Sequence, residues 1–422
     1  MRRGLFYGWY ITIALAITET VSWGIVFYAL EIFIIPMEQE FGWTRTQIAG
    51  VRSVAIFLSG VMAFPVGYWL DKYGSRFLMT LGSILATLLV FAWAFADTLT
   101  EMYMIWVCMG IVMSTILYEP SFVVIANWFV KRRGLALAVV TFAAGFASTI
   151  FLPLTSYLYQ QFGRQNAIII LGCILACVTI PLHAIFLRRR PQDMGLLPDG
   201  ENHADKSVPI SEIKIPGMAL KEVLRLRSFW WLTLAFTLAS TAIYGLRFHL
   251  IPFVTEQGYG AEVAAWIVGT VGAMQVLGRV IFAPLEMRFS VRVLITVILL
   301  LQALTIALLL INSLPTLMIF VVTFGAAIGA YTLARPALIA SFYGPAQYGR
   351  ISSVIAFFAI IGLTAGPILV SFIYDHFDTY SPALWLLIFI SALSVLAVIG
   401  IKHPNEELGQ ESLEVSANTH SA

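Results

Sequence analysis

Long apolar stretches, separated by short polar connections, run through almost the whole chain. Twelve stretches of about 20 to 28 residues occur, and a helix needs about 20 apolar residues to cross the hydrocarbon core of a bilayer. A membrane barrel would instead show alternating segments of about 10 residues. The pattern therefore predicts transmembrane helices at 8–35, 47–70, 77–96, 102–127, 135–159, 166–187, 229–254, 262–285, 291–311, 315–342, 350–374 and 382–401.

The composition supports this class and excludes a soluble protein. Hydrophobic residues make up 59% of the chain and charged residues only 11%, whereas soluble domains carry about 25% charged residues. The three cysteines lie inside predicted spans, so we expect free thiols, and neither disulfides nor a bound metal. We also expect no cofactor.

The positions of lysine and arginine predict the orientation. With the N-terminus in the cytoplasm, nineteen of the 25 Lys and Arg residues fall in cytoplasmic segments, and only Arg45 and Arg164 fall in outer loops. Cytoplasmic loops carry such an excess in membrane proteins. We therefore expect both termini in the cytoplasm. The net charge of +2 reflects this topology and does not indicate nucleic-acid binding.

Two halves of six spans each are predicted from the hydrophilic stretches and an internal repeat. A cytoplasmic linker, 188–227, separates the half 1–187 from the half 228–401, and the polar tail 402–422 is expected to be disordered. The segment SYLYQQF at 156–162 matches SFIYDHF 215 positions later. The expected fold is an all-α membrane protein of two pseudo-symmetric six-helix bundles, a plan that transporters use.

A short loop between the second and third spans, GYWLDKYGSR, carries a family signature. It resembles the signature loop of the major facilitator superfamily. Its first glycine would let two helices approach closely, and its acid would accept hydrogen bonds while its bases hold the inner face. A simple charged turn is the alternative. A cytoplasmic gating role is expected of Gly67, Asp71, Lys72, Gly74 and Arg76.

One arginine inside a span suggests a site for an anion. Arg279 lies about two-thirds along the eighth span, and Gln275 lies one turn earlier on the same helical face. A charge at the bilayer centre costs about 2.5–3.5 kcal/mol, so such residues face a cavity or a partner. The guanidinium offers a carboxylate two parallel donors. The alternative is a pair with an internal acid that only holds the bundle together.

A narrower resemblance concerns the second half. The segments GLRFHLIPFVTEQGY, QVLGRVIFAPL and ARPALIASFYG resemble the bacterial branch of the monocarboxylate transporter-like family, which is related to oxalate–formate exchangers. The resemblance implies transport of small organic anions, with Arg279 receiving the substrate carboxylate. It also implies substrate contacts from Tyr118 and Tyr331, although either tyrosine could instead serve packing.

The coupling scheme of animal members does not carry over. They have an aspartate where this chain has Gln275, and a lysine in the first span, which this chain lacks. Burial favours the neutral form of a carboxyl group, and histidine titrates near neutral pH. The candidates for carrying a proton are therefore Glu119, Glu19 and His249. A salt bridge, a polar contact within the bundle and a packing histidine are the respective alternatives.

Two further arginines lie within predicted spans. Arg247 is in the seventh span and Arg335 is in the tenth. Either could be a second anion contact or a gate. A second contact would leave the choice between mono- and dicarboxylates open.

The sequence predicts a secondary active transporter of small organic anions that works by alternating access, with proton symport or anion exchange as the driving force. The sequence contains no phosphate-binding loop, no zinc-ligand spacing and no nucleophile elbow. We therefore expect that the protein is not an enzyme. An exporter of hydrophobic cations would need an acidic cavity, and a non-transporting sensor is the other alternative. We expect a monomer in the plasma membrane of a prokaryote, with the lipid bilayer, an organic acid, and protons or a counter-anion as its partners.

Overall fold

The computed structural model describes residues 6–129, 132–200, 218–344 and 348–401, and these fold as helices without a strand. The predicted disordered tail and the linker residues 201–217 lie outside the described part. The helices are α1 Tyr7–Ser22, a π-helix Trp23–Tyr28, α2 Leu30–Phe41, α3 Arg45–Tyr73, α4 Ser75–Ala94, α5 Leu99–Ile116, α6 Tyr118–Trp128, α7 Arg133–Gly145, α8 Ala147–Phe186, α9 Leu220–Val223, α10 Arg227–Glu256, α11 Ala261–Glu286, α12 Val291–Leu308, α13 Leu314–Tyr343, α14 Tyr348–Phe377 and α15 Ser381–Ile399.

Eleven helical stretches of the described chain are long and apolar enough to cross a membrane. One of them, Arg133–Phe186, has 54 residues and at 1.5 Å per residue would be about 80 Å long, far more than a bilayer needs. Gly163 interrupts it with φ 75° and ψ 174°, a conformation that is essentially limited to glycine. The stretch therefore crosses twice, and the described residues form the twelve spans predicted from the sequence.

The described residues divide into two compact units, here called the first and second units. The first unit comprises the described residues within Met1–Val208, Phe248–Val276 and Pro367–Asp378. The second unit comprises the described residues within Pro209–Arg247, Leu277–Gly366 and Thr379–Ala422. Three long helices, α10, α11 and α14, therefore contribute one end to each unit.

Close helix contacts build the first unit. Helix α3 packs on α5, α4 packs on α5 and α8, and α1 packs on α7 and α8. A side-chain carbon added at Gly110 of α5 would overlap the backbone of Ala55 in α3, so glycine lets these two helices touch. Trp128 and Phe129 are fully buried beside Ile11 and Leu15 of α1.

Glycines also bring helices together in the second unit, where α12 packs on α13 and α15. Gly278 of α11 lies against a backbone carbonyl of α13. Gly362 and Gly366 of α14 lie against the carbonyls of Thr237 and Thr241 in α10. Small residues at these crossings permit the close backbone approach that helix packing in a bilayer requires.

A hydrogen bond from an arginine to a backbone carbonyl occurs in both units, and its donor and acceptor are separated by 108 residues in one unit and 107 in the other. The Nε of Arg76, at the start of α4, donates to the carbonyl of Ala184 at 2.7 Å. The Nη2 of Arg292, at the start of α12, donates to the carbonyl of Ile399 at 2.7 Å. Each arginine thus holds the end of the last span of its half, and this agrees with an internal repeat.

The Gly110 contact yields a stability prediction. Gly110→Ala should lower the melting temperature of the purified protein, because overpacking costs about 1–3 kcal/mol and the opposing atoms are backbone. Gly134→Ala is the matched control, since a carbon added there meets nothing within 4 Å. Equal melting temperatures for the two variants would contradict the packing described here.

Candidate functional site

The fourth span is interrupted at its centre. Leu117 has extended dihedrals, φ −95° and ψ −164°, between the end of α5 at Ile116 and the start of α6 at Tyr118. The ring of Pro120 would clash with the carbonyl four residues earlier, which is that of Ile116. The break therefore follows from the sequence, and it places Tyr118 at the first position of a helix inside the span.

Glu19 of α1 is a fully buried carboxylate within the first span. It accepts hydrogen bonds from Ser121 Oγ of α6 and from Trp23 Nε1, the latter at 3.0 Å. No lysine, arginine or histidine in the described part of the chain forms an ion pair with it. The carboxyl group is therefore held by two neutral hydrogen-bond donors.

Trp23 connects this carboxylate to a predicted substrate residue. The ring centroids of Trp23 and half-buried Tyr118 lie 4.9 Å apart, and Tyr118 also stacks on Phe122 at 5.2 Å. Trp23 opens the π-helix Trp23–Tyr28, and π-helical turns are frequent at functional sites. Glu19, Trp23, Tyr118 and Ser121 are called the Glu19 cluster below.

The sequence indicated only part of this cluster. Glu19 and Tyr118 were expected as separate candidates, whereas Trp23 and Ser121 were missed. The signal for Trp23 was its spacing of four residues from Glu19, which places both on one helical face. Glu119, the other acidic candidate, is exposed at the start of α6.

Arg279 lies in the second unit, half-buried on α11. The preceding residue, Gly278, rests against α13, so the backbone that carries the guanidinium is fixed by a close helix crossing. Gln275, one turn earlier, is buried and falls in the first unit.

Tyr331 is buried on α13, and neighbours within the second unit engage its hydroxyl. The hydroxyl donates to the carbonyl of Phe236 at 3.3 Å and lies 3.4 Å from Ser240 Oγ. Arg335, one turn further along the helix, is half-buried and interacts with it electrostatically. These contacts favour the packing role that the sequence left open for Tyr331.

The long helices of the second unit contain more arginine than acid. Arg247, Arg279 and Arg335 lie in them, and Arg247 is buried. In the spans of this unit, Glu286 at the end of α11 is the only Asp or Glu of the sequence. The membrane-embedded part of this unit is therefore suited to an anion.

His249 has a structural environment. It is fully buried in α10, and its Nε2 lies 3.1 Å from the carbonyl oxygen of Pro367 and 2.9 Å from Ser371 Oγ of α14. A carbonyl only accepts, so Nε2 carries a hydrogen. The histidine links two helices within the first unit, which supports the packing alternative over proton transport.

The signature loop is partly as expected. Gly74 has φ 85° and ψ 174°, which requires glycine, and the side chain of Arg189 packs over it. At Gly67, however, an added carbon would meet nothing within 4 Å, so the expectation that this glycine allows a close helix approach is wrong here. The side chains of Asp71 and Lys72 lie outside the described part.

Twelve crossing segments and this loop are typical of a multi-pass transporter, and comparisons with known proteins agree. The family model of the Major Facilitator Superfamily matches residues 12–274 and 250–417. The chain belongs to that superfamily, and it is a transporter and not an enzyme.

Relatives narrow the resemblance. Monocarboxylate transporter 12 of Xenopus laevis is 23% identical over 419 residues, covering 93% of this chain and 89% of that protein. Monocarboxylate transporter 13 of Bos taurus is 22% identical over 278 residues, covering 65% of this chain and 60% of that protein. The chain is similar to the monocarboxylate transporters at low identity.

Solved structures share the fold. An inward-facing, unoccupied bacterial homolog of the human lysosomal transporter Spinster has a TM-score of 0.70 at 17% identity, covering 94% of this chain and 95% of that one. A mutant of the nucleoside transporter NupG has a TM-score of 0.72 at 11% identity, covering 94% of this chain and 100% of that one. At these identities the likeness concerns the fold alone.

The contacts of His249 yield a prediction. His249→Ala should destabilise the ligand-free protein by about 1–3 kcal/mol, because buried hydrogen-bonding groups on α14 lose their partner. His376→Ala, at an exposed position of α14, should stay within about 0.5 kcal/mol of the parent. Thermal unfolding of both variants measures the difference, and a fully stable His249→Ala protein would show that the contact is unimportant.

Proposed function

We propose that the protein transports small organic anions of the monocarboxylate kind across the plasma membrane by alternating access. The observation that carries this proposal is the charge of the second unit, whose long helices contain, away from their ends, three arginines and no Asp or Glu. An anion is the ligand that such surroundings stabilise. The printed names of the animal relatives support a carboxylate among the possible anions.

Arg279 is the arginine best suited to hold the carboxylate. It is half-buried, whereas Arg247 is buried and Arg335 lies beside Tyr331. A guanidinium binds a carboxylate through two parallel hydrogen bonds, which gives both strength and orientation. Arg247 and Arg335 then serve as a second anion contact or as gating residues.

Tyr118 is the stronger of the two tyrosine candidates for orienting the substrate. It is half-buried and begins a helix within an interrupted span, an arrangement that transporters use around their substrate. Tyr331 is a weaker candidate because its hydroxyl already has neighbours on α10.

The remaining parts of the proposal concern orientation and drive. Both termini lie in the cytoplasm, as the distribution of lysine and arginine indicates. The driving force is a co-transported proton or exchange against a second anion. Export of hydrophobic cations fits poorly, because the arginines of the second unit would repel a cation.

Transport by Arg279 variants tests the proposal. Arg279→Ala should lower the initial uptake of radiolabelled lactate or oxalate into proteoliposomes by about 10- to 100-fold, since a hydrogen-bonded pair with a charged group contributes about 1.5–3 kcal/mol. Arg279→Lys should keep part of the rate, because lysine keeps the charge but lacks the planar fork.

The control is Arg164→Ala, which removes an arginine that pairs with Glu40 and Asp97, outside the proposed site. It should transport as the parent does. If Arg279→Ala also transports at the parental rate, Arg279 is not the anion-binding residue.

A further inference from the structure

We propose that Glu19 carries the coupled proton and that Ser121 and Trp23 are its positioning residues. This proposal deepens the proposed function and rests on it, since it chooses proton coupling over anion exchange. The geometry of the Glu19 cluster carries the argument.

Both protonation states of Glu19 can be satisfied without moving its neighbours. The Trp23 N–H only donates, and it donates to Oε2 at 3.0 Å. The Ser121 hydroxyl can both donate and accept. It can therefore donate to Oε1 of the Glu19 carboxylate, and it can accept from the same oxygen when that oxygen is protonated. The site therefore accommodates both protonation states, and in the proposed cycle a proton binds from one aqueous side and leaves to the other.

Few other titratable groups face Glu19. Helices α6, α7 and α8 pack on α1, and so does the π-helix, whose titratable group is Tyr28. On α6 the groups are Tyr118 and Glu119, while α7 and the adjoining part of α8 have none between Arg133 and Tyr157. Further along, α8 carries Tyr159, Arg164, Cys173, Cys177 and His183.

Trp23 links the proton to the proposed substrate contact. Its indole N–H donates to Glu19, and its ring packs 4.9 Å from Tyr118. Neutralising the carboxylate weakens the charge-assisted hydrogen bond from the indole. The tryptophan is then less tightly held, and Tyr118 can change position with it.

Infrared spectroscopy tests the site without any substrate. In the purified parent, acidification should produce a carbonyl band of a buried carboxylic acid, and this band should be absent from Glu19→Gln. Ser121→Ala and Trp23→Phe should each shift its frequency, because each removes one hydrogen-bonding partner. Glu101→Gln, at an exposed capping position, should leave the band unchanged. A band that disappears in Glu119→Gln but persists in Glu19→Gln would overturn the proposal.

Transport tests the coupling. In proteoliposomes, Glu19→Gln should lose lactate accumulation driven by a pH gradient while it still exchanges internal for external labelled lactate. Accumulation equal to that of the parent, or a parent whose flux ignores the gradient, would refute coupling at Glu19. If the parent moves no carboxylate, the proposed function fails, and the infrared result still decides whether Glu19 binds a proton.

A second, independent observation concerns an ion-pair network in the first unit. Arg45, buried at the start of α3, pairs with Glu38 of α2 at 3.0 Å and with Glu256 of α10 at 2.6 Å. Its guanidinium lies 3.6 Å from the ring centroid of Tyr374 in α14. These four residues are called the Arg45 network.

The Arg45 network joins parts of the chain that are distant in sequence. It connects the ends of α2 and α3, from the first six spans, to the ends of α10 and α14, from the last six. The backbone N–H of Thr46 adds a bond to Asp375 Oδ2 at 3.0 Å. Alternating access requires the two sets of six spans to part on each side in turn.

We infer that the Arg45 network is a gate that is closed in this conformation and opens in another stage of the cycle. Arg164 offers a comparison, because its partners Glu40 and Asp97 both belong to the first six spans. Loss of Arg164 should therefore leave opening unaffected, whereas loss of Arg45 should favour it.

Distance measurements test the gate. Spin labels at Gln39→Cys and His376→Cys, both exposed positions of the first unit, are introduced after replacing Cys108, Cys173 and Cys177. Arg45→Ala should increase the population with a long label separation, and Arg164→Ala should match the parent. Unchanged distances in Arg45→Ala would refute the gate, as would an equal change in both variants.

Discussion

The cost of placing charge in a bilayer is the constraint on which the rest of the structure depends. Each ionised side chain in a span needs a partner, a cavity or a ligand. Arg52 satisfies this requirement with a buried acid, since its Nη2 lies 3.4 Å from Glu31. Its guanidinium also lies over the rings of Phe27 and Phe248. Glu19 satisfies the requirement with hydrogen bonds from two neutral side chains. In the long helices of the second unit arginine outnumbers acid, and the proposed anionic substrate would complement this charge.

Most of the fold could be predicted from the sequence because span length is a direct physical requirement. The apolar stretches predict twelve crossings, and the structure shows the same number even where one helical run continues over two of them. Gly163 makes that reversal possible. The way α10, α11 and α14 divide between two compact units could not be predicted, since it depends on contacts between residues distant in the sequence.

The candidate site was less predictable. Embedded charged residues stand out against apolar sequence, so Glu19 and Arg279 are candidates from the sequence alone. Trp23 was missed because a tryptophan in a span carries no signal of its own, and its hydrogen bond appears only once the helix is built. Close packing was misassigned at Gly67, whereas Gly110 and Gly278 provide it. A motif identifies a glycine, but only the neighbouring helix shows whether that glycine is needed for contact.

Burial also separates fixed ion pairs from those that can open during a cycle. The pair between Arg52 and Glu31 is buried on both sides, and breaking such a pair costs about 3–5 kcal/mol. The partners of Arg45 are more accessible, because the side chains of Glu38 and Glu256 are 27% and 34% exposed. Water can reach these two carboxylates, so the contacts of Arg45 are less costly to separate than the fully buried pair of Arg52 and Glu31. The network at the helix ends is therefore suited to opening and closing, and the deeper pair is suited to holding its helices throughout.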